Sequence, residues 1–221
     1  LRPRPGEHLV TTMKLVQFFL KRHLTVAGLA LCLLALPGAR LFLETSMTRH
    51  MLVQFPLLAF VGFCFAGALP SHWMRHLNLW NGYGISGLFA SALLLAILMI
   101  PRVLDLALVD SRIELAKWLA LLFCGAAIRL SWQPAGLLVQ GFFLGNVLPM
   151  MVVVGYLFES SPVRLCNAYL LDDQERLGQG LLWIAGVTGL AWFAVLVRAM
   201  SRRETAHGLP PPCEGGPSAS Q

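Results

Sequence analysis

Apolar runs of about 20 residues recur six times along the chain, parted by short polar stretches that carry prolines. The first covers roughly 24–43, with Pro37-Gly38 placed to kink it or end it early. The second runs from about His50 to Leu69 and stops at Pro70, and the third from about Trp80 to Ile100, stopping at Pro101. The fourth is about Leu115–Trp132, the fifth about Leu137–Phe158 and the sixth about Leu181–Met200. Each is long enough to cross the hydrocarbon of a bilayer. The pattern predicts an all-α polytopic membrane protein, a six-transmembrane-helix bundle over residues 24–200. Residues 1–23 read as a cytoplasmic N-terminal arm. Residues 201–221 hold Pro210-Pro211-Pro212 and Gly215-Gly216-Pro217, too little apolar surface to fold, and read as a disordered cytoplasmic tail.

Composition supports this picture. The 221 residues are 57% hydrophobic and 13% charged, with a mean hydropathy of +0.67. A soluble domain carries about 25% charged residues. The charges therefore speak first to orientation. Arg2, Arg4, Lys14, Lys21 and Arg22 cluster before the first span, and Arg198, Arg202 and Arg203 after the last. Positive clusters stay on the cytoplasmic side, so both termini are expected inside a bacterial inner membrane. The Lys21-Arg22-His23 cluster precedes an apolar run without a small-residue cleavage site, which predicts a retained first span rather than a signal peptide.

One polar pattern interrupts the second apolar run. Met47, His50, Met51 and Gln54 fall at i, i+3, i+4 and i+7, on one helix face. Thioether and imidazole are the ligands that suit Cu(I). With the N-terminus inside, this face begins at the outer surface. In the fifth span, Gly141-x-x-x-Gly145 predicts close helix approach. Pro149 predicts a bend there, and Met150 comes to the outer half, level with the start of span 2. Asp172-Asp173-Gln174 precedes the sixth span, where acidic residues suit a helix N-terminus or an outer-face metal entry. The metal ligands expected are Met47, His50 and Met51, with Met150 and Asp173 contributing. Packing alone explains the same Met and His positions, and N-capping the same aspartates. Val103–Leu115 is expected to lie along the interface or to extend span 3. His72 and His76 fall in an interfacial belt with Trp73 and Trp80. Five cysteines without a C-x-x-C spacing signal neither zinc nor a redox pair. There is no Walker motif and no G-x-S-x-G, and no enzymatic activity is expected.

The segment Met47–Gly62 resembles the His-Met-containing span of the CtaG family of cytochrome oxidase assembly proteins, through His50-Met51, Gln54 and Pro56. Asp173-Gln174, with Gly178 five residues beyond the aspartate, resembles that family's Asp-Gln stretch before a late span. The resemblance implies an inner-membrane protein that helps deliver copper to a haem-copper oxidase. It would place His50, Met51 and Asp173 near an outer-face copper site. The expected partners are membrane lipid and a membrane protein complex, a haem-copper oxidase or another copper enzyme, and no nucleic acid. The alternative is a non-catalytic accessory subunit of a larger membrane complex.

Overall fold

The structure, a computed structural model, describes residues 24–166 and 168–207. These form nine helices in chain order, with no strand among the described residues. They are α1 (Leu24–Ala35), α2 (Pro37–Glu44), α3 (Met47–Ala66), α4 (Ser71–Trp80) and α5 (Ile85–Leu98). Then follow α6 (Pro101–Val109), α7 (Ser111–Trp132), α8 (Gly136–Ser160) and α9 (Leu171–His207). The N-terminal arm expected over 1–23 lies outside the described residues, as does the tail from 208. Residues 201–207, expected in that tail, continue α9 as helix.

Among the described residues, six uninterrupted spans are not found. Three helices are long and apolar enough to cross a membrane, namely α3, α8 and Leu171–Arg202 of α9. Two further pairs pass together but are sharply bent, α1 with α2 at 72° and α5 with α6 at 75°. Counting each pair as one gives up to five. Prolines set both bends. Pro37 and Pro101 each open the second helix of their pair, and Leu36 and Ile100 before them are extended, as a residue preceding proline prefers. The Val103–Leu115 stretch accordingly does not prolong α5. It splits between α6, whose Leu104 and Ala107 are buried, and the start of α7. Asp110 caps that start by accepting from the Arg112 N–H at 2.8 Å.

α7 runs through the middle, packed on α3, α5 and α6. Its contact with α3 is backbone to backbone. A Cβ on Gly125 would collide with the Ala59 carbonyl, and one on Gly62 with the Leu122 carbonyl. α8 and α9 pair in the same way through Gly155 and Gly178, where an added Cβ would come within 2.9 and 2.6 Å of the opposing glycine's carbonyl oxygen. Of Gly141 and Gly145, expected to allow close helix approach, only Gly141 lies against α9, and there it faces a side chain rather than backbone. A Cβ on Gly141 would meet only the Trp192 ring, and one on Gly145 would meet nothing within 4 Å. The larger core gathers Leu34, Leu43, Met47, Met51, Phe55, Leu58, Leu121, Phe158, Tyr169 and Leu177 at the end where α3 and α9 begin.

Candidate functional site

α3 does not wind uniformly. His50–Gln54 is a π-helical turn, closed by the Phe55 N–H reaching back to the His50 carbonyl. Pro56 accounts for it. Proline has no N–H for the Leu52 carbonyl and its ring crowds that oxygen, so the chain widens just before it. Such single π-turns recur at functional sites. The turn holds three buried side chains, His50, Met51 and Gln54, and Met47 just before it is buried as well.

His50 is held from both sides. Its Nδ1 lies 2.8 Å from the Tyr169 hydroxyl and its Nε2 lies 2.9 Å from Lys117 Nζ. The Phe55 ring packs edge-on against it at 5.5 Å. Lys117, 2% exposed, faces Glu44 at 3.6 Å. Arg40 bonds Glu44 at 3.3 Å and also pairs with Glu114. Arg40, Glu44, Glu114 and Lys117 thus form a four-membered cluster of two cations and two anions. Buried charges persist only when paired in this way. Lys117 pairs with the Glu44 carboxylate and is placed to donate to Nε2. The imidazole proton is then on Nδ1, donated to the Tyr169 oxygen. This tautomer is assigned from the partners of each nitrogen.

The loop between α8 and α9 delivers Tyr169, and the two residues after Asp172 anchor it. Gln174, fully buried, accepts from the Leu165 N–H at 2.8 Å and donates to the Phe158 carbonyl at 3.1 Å. Asp173 reaches across to the start of α3. Its carboxylate accepts from Ser46 Oγ at 2.8 Å, from the Met47 N–H and from Thr48 Oγ1 at 3.2 Å. It therefore serves as the N-cap of a helix more than a hundred residues earlier in the chain. The Asp-Gln pair ties two helix ends and a loop together, which leaves the Asp173 oxygens occupied. Burial and the nearby Glu44 carboxylate push the Tyr169 phenol well above its ordinary range, so it stays protonated. Burial likewise raises the Cys166 thiol to about 12, with the Asp105 carboxylate adding to the effect.

Above this core a polar cleft of about 470 Å³ opens between Thr45, Ser46, Arg49, Tyr169, Asp172 and Arg176. Tyr169 lines it and its hydroxyl bonds His50, so this residue is the link between the cleft and the buried imidazole. One turn along from His50, both side-chain polar atoms of Gln54 are buried without a hydrogen-bond partner. An orphaned amide of this kind costs about 1–3 kcal/mol.

The chain matches no family model, no curated protein and no solved structure. Its site has to be read from its own residues. The structure brings Met47, His50 and Met51 into one core, with Asp173 at its edge as a cap. Met150 points elsewhere. It lines an apolar groove of about 310 Å³ between α5 and α8, beside Phe89, Phe142 and Asn146, whose amide donates to the Phe142 carbonyl on its own helix. Among the described residues no three His, Cys, Asp or Glu side chains converge as metal ligands. Any metal held here would therefore rest on thioethers plus one imidazole, a donor set that fits a soft monovalent ion rather than zinc or magnesium.

Sequence reasoning missed Lys117, Glu114, Glu44, Arg40 and Tyr169. The signal for two of them was present. Glu114, Lys117, Leu121 and Cys124 follow the i, i+3, i+7, i+10 rhythm of one helix face, and all four are buried.

Proposed function

We propose that this chain is a membrane-embedded copper-handling protein that assists assembly of a respiratory copper enzyme, with Cu(I) as cargo held by Met47, His50 and Met51. The observation that carries the reading is that Met47, His50 and Met51, two thioethers and an imidazole, are all buried at the start of α3, beneath a cleft that opens to solvent. A soft, singly charged ion suits such a place. Its desolvation costs less than that of a divalent ion, and neutral sulfur and nitrogen donors replace its water. Counting α7 as a span beside the three apolar helices and the two bent pairs makes six. With both termini in the cytoplasm of a bacterial cell, the cleft faces outward, where copper would arrive. The residues of this chain bind and orient the ion and exclude water, and they perform no bond-breaking chemistry.

The purified full chain in detergent should retain Cu(I) under reducing conditions at about one ion per molecule. The His50→Ala/Met51→Ala variant should retain none. Equal copper in both preparations, or none in either, would remove the reading.

A second reading, an accessory subunit of a larger membrane complex, rests on a separate observation. Only 11% of the apolar stretch is buried in α8, and the same holds for α9, leaving wide faces for lipid or for other helices. Copurification with a large complex in fixed stoichiometry, without metal, would favour it.

A further inference from the structure

The side chain closest to the imidazole Nε2 is an ammonium, and that contact bears directly on the site. In the tautomer set by its neighbours, His50 presents its free lone pair at Nε2, the atom a soft metal would use. Lys117 Nζ covers that lone pair at 2.9 Å. The contact is fully buried, so water does not compete for either atom. Lys117 also faces Glu44 at 3.6 Å and shares its helix face with Glu114, one turn earlier. Its four-carbon stem is flexible and its ammonium is a compact point charge.

We propose that Lys117 is the placeholder of the site. It occupies Nε2 when no metal is bound, and Cu(I) enters by exchanging with it. Cu(I) releases the water or carrier thiolates that brought it and takes up the His50 nitrogen and the Met47 and Met51 sulfurs, one N–H···N hydrogen bond breaks, and the ammonium moves onto Glu44 and Glu114 with its protons retained. The two carboxylates then balance three cations in place of two, since the thioethers and the imidazole are neutral. Arg40 is already partly exposed to water, at 39% of its side-chain surface, and is the member of the cluster whose charge solvent can screen. The exchange makes the site weak and releasable by construction, as a delivery protein requires. It also explains why a buried lysine is placed against the unprotonated nitrogen of a histidine. This inference rests on the copper reading above.

Competition for Cu(I) against a chromophoric chelator, with the full chain in detergent and a reductant present, tests it. Lys117→Leu frees Nε2 without adding a ligand. Because that change strands a carboxylate, Glu44→Gln/Lys117→Leu provides a charge-balanced partner that keeps the measurement interpretable if the single variant misfolds. Both should bind Cu(I) at least tenfold more tightly than the parent chain, and adding His50→Ala should abolish the gain. Affinity unchanged or weakened in the Lys117 variants, with binding still dependent on His50, would overturn the placeholder while leaving the copper site intact. Absence of His50-dependent Cu(I) binding in every variant would overturn both.

Discussion

The two ends of α7 solve the same problem in different ways. Near its C-terminal end, the fully buried Ser131 accepts from Asn81 Nδ2 at 2.8 Å, and Asn81 Oδ1 accepts from the Gly87 N–H at 3.1 Å and Ser86 Oγ at 3.0 Å. Every group in that knot is neutral, and the helix approach is so tight that a Cβ on Gly87 would collide with Ser131 Oγ. Near the N-terminal end, Glu114 and Lys117 belong to a charged cluster that connects through His50 and Tyr169 to a cleft, and the Gln54 amide one turn from His50 has no partner. A saturated neutral knot fixes geometry and nothing more. A charged knot with an unmet polar demand, beside solvent, costs stability and is the kind of place where a ligand acts.

The sharpest way to break this contrast is to remove one charge. Lys117→Leu leaves buried carboxylates with only Arg40 to answer them and should destabilise the protein by about 3–5 kcal/mol. Glu44→Gln/Lys117→Leu should recover most of that loss, read as the unfolding midpoint in detergent micelles. If the double variant is as unstable as the single, the cluster is not held by charge balance.

An intermediate effect is expected between the two ends. Gly125→Ala presses a methyl group into the Ala59 carbonyl across the α3–α7 contact and should cost about 1–3 kcal/mol. Because α3 carries His50 and α7 carries the Lys117 that covers it, a loosened crossing should weaken that contact and tighten Cu(I) binding. A stable Gly125→Ala protein with unchanged midpoint would mean that the two helices are not locked at this crossing.

The smallest effect belongs to the neutral end. Ser131→Ala removes one hydrogen bond and should lower stability by about 0.5–1.5 kcal/mol, with Cu(I) retention unchanged. A loss of copper from Ser131→Ala would show that the two ends communicate and would erase the distinction between them.

The helices themselves were legible because bilayer thickness and proline leave strong marks. The runs ending at Pro70 and Pro101, and the bend at Pro37, all stand where the sequence places them. Of the site, His50, Met47 and Met51 were visible from their spacing, since all three belong to one helix. Lys117, Glu114, Arg40 and Glu44 were not. Nothing in their own sequence neighbourhood marks their partners, and what makes them chemistry is burial against a helix that starts elsewhere in the sequence. Asp173 was legible as a capping residue but not as the cap of another helix. Its partners Ser46, Met47 and Thr48 are more than 120 positions away, and no local pattern records such a pairing. Gly155 and Gly178 were hidden for the same reason. A close approach depends on both partners, and only the G-x-x-x-G spacing of Gly141 and Gly145 advertises itself within one segment.

The widened turn at His50–Gln54 has a mechanical consequence. It acts as a phase joint within α3. The stretch Phe55–Ala66 is keyed to α7 by Gly62, and the first turn is keyed to α9 by Asp173, so each half has its own rotational setting. The joint lets both settings be satisfied in one continuous helix. Were the same residues wound as regular α-helix instead, one half would turn by about 100° relative to the other. Either the glycine crossing or the Asp173 cap would then be lost, and His50 would face away from Lys117 with almost no change in the length of the helix.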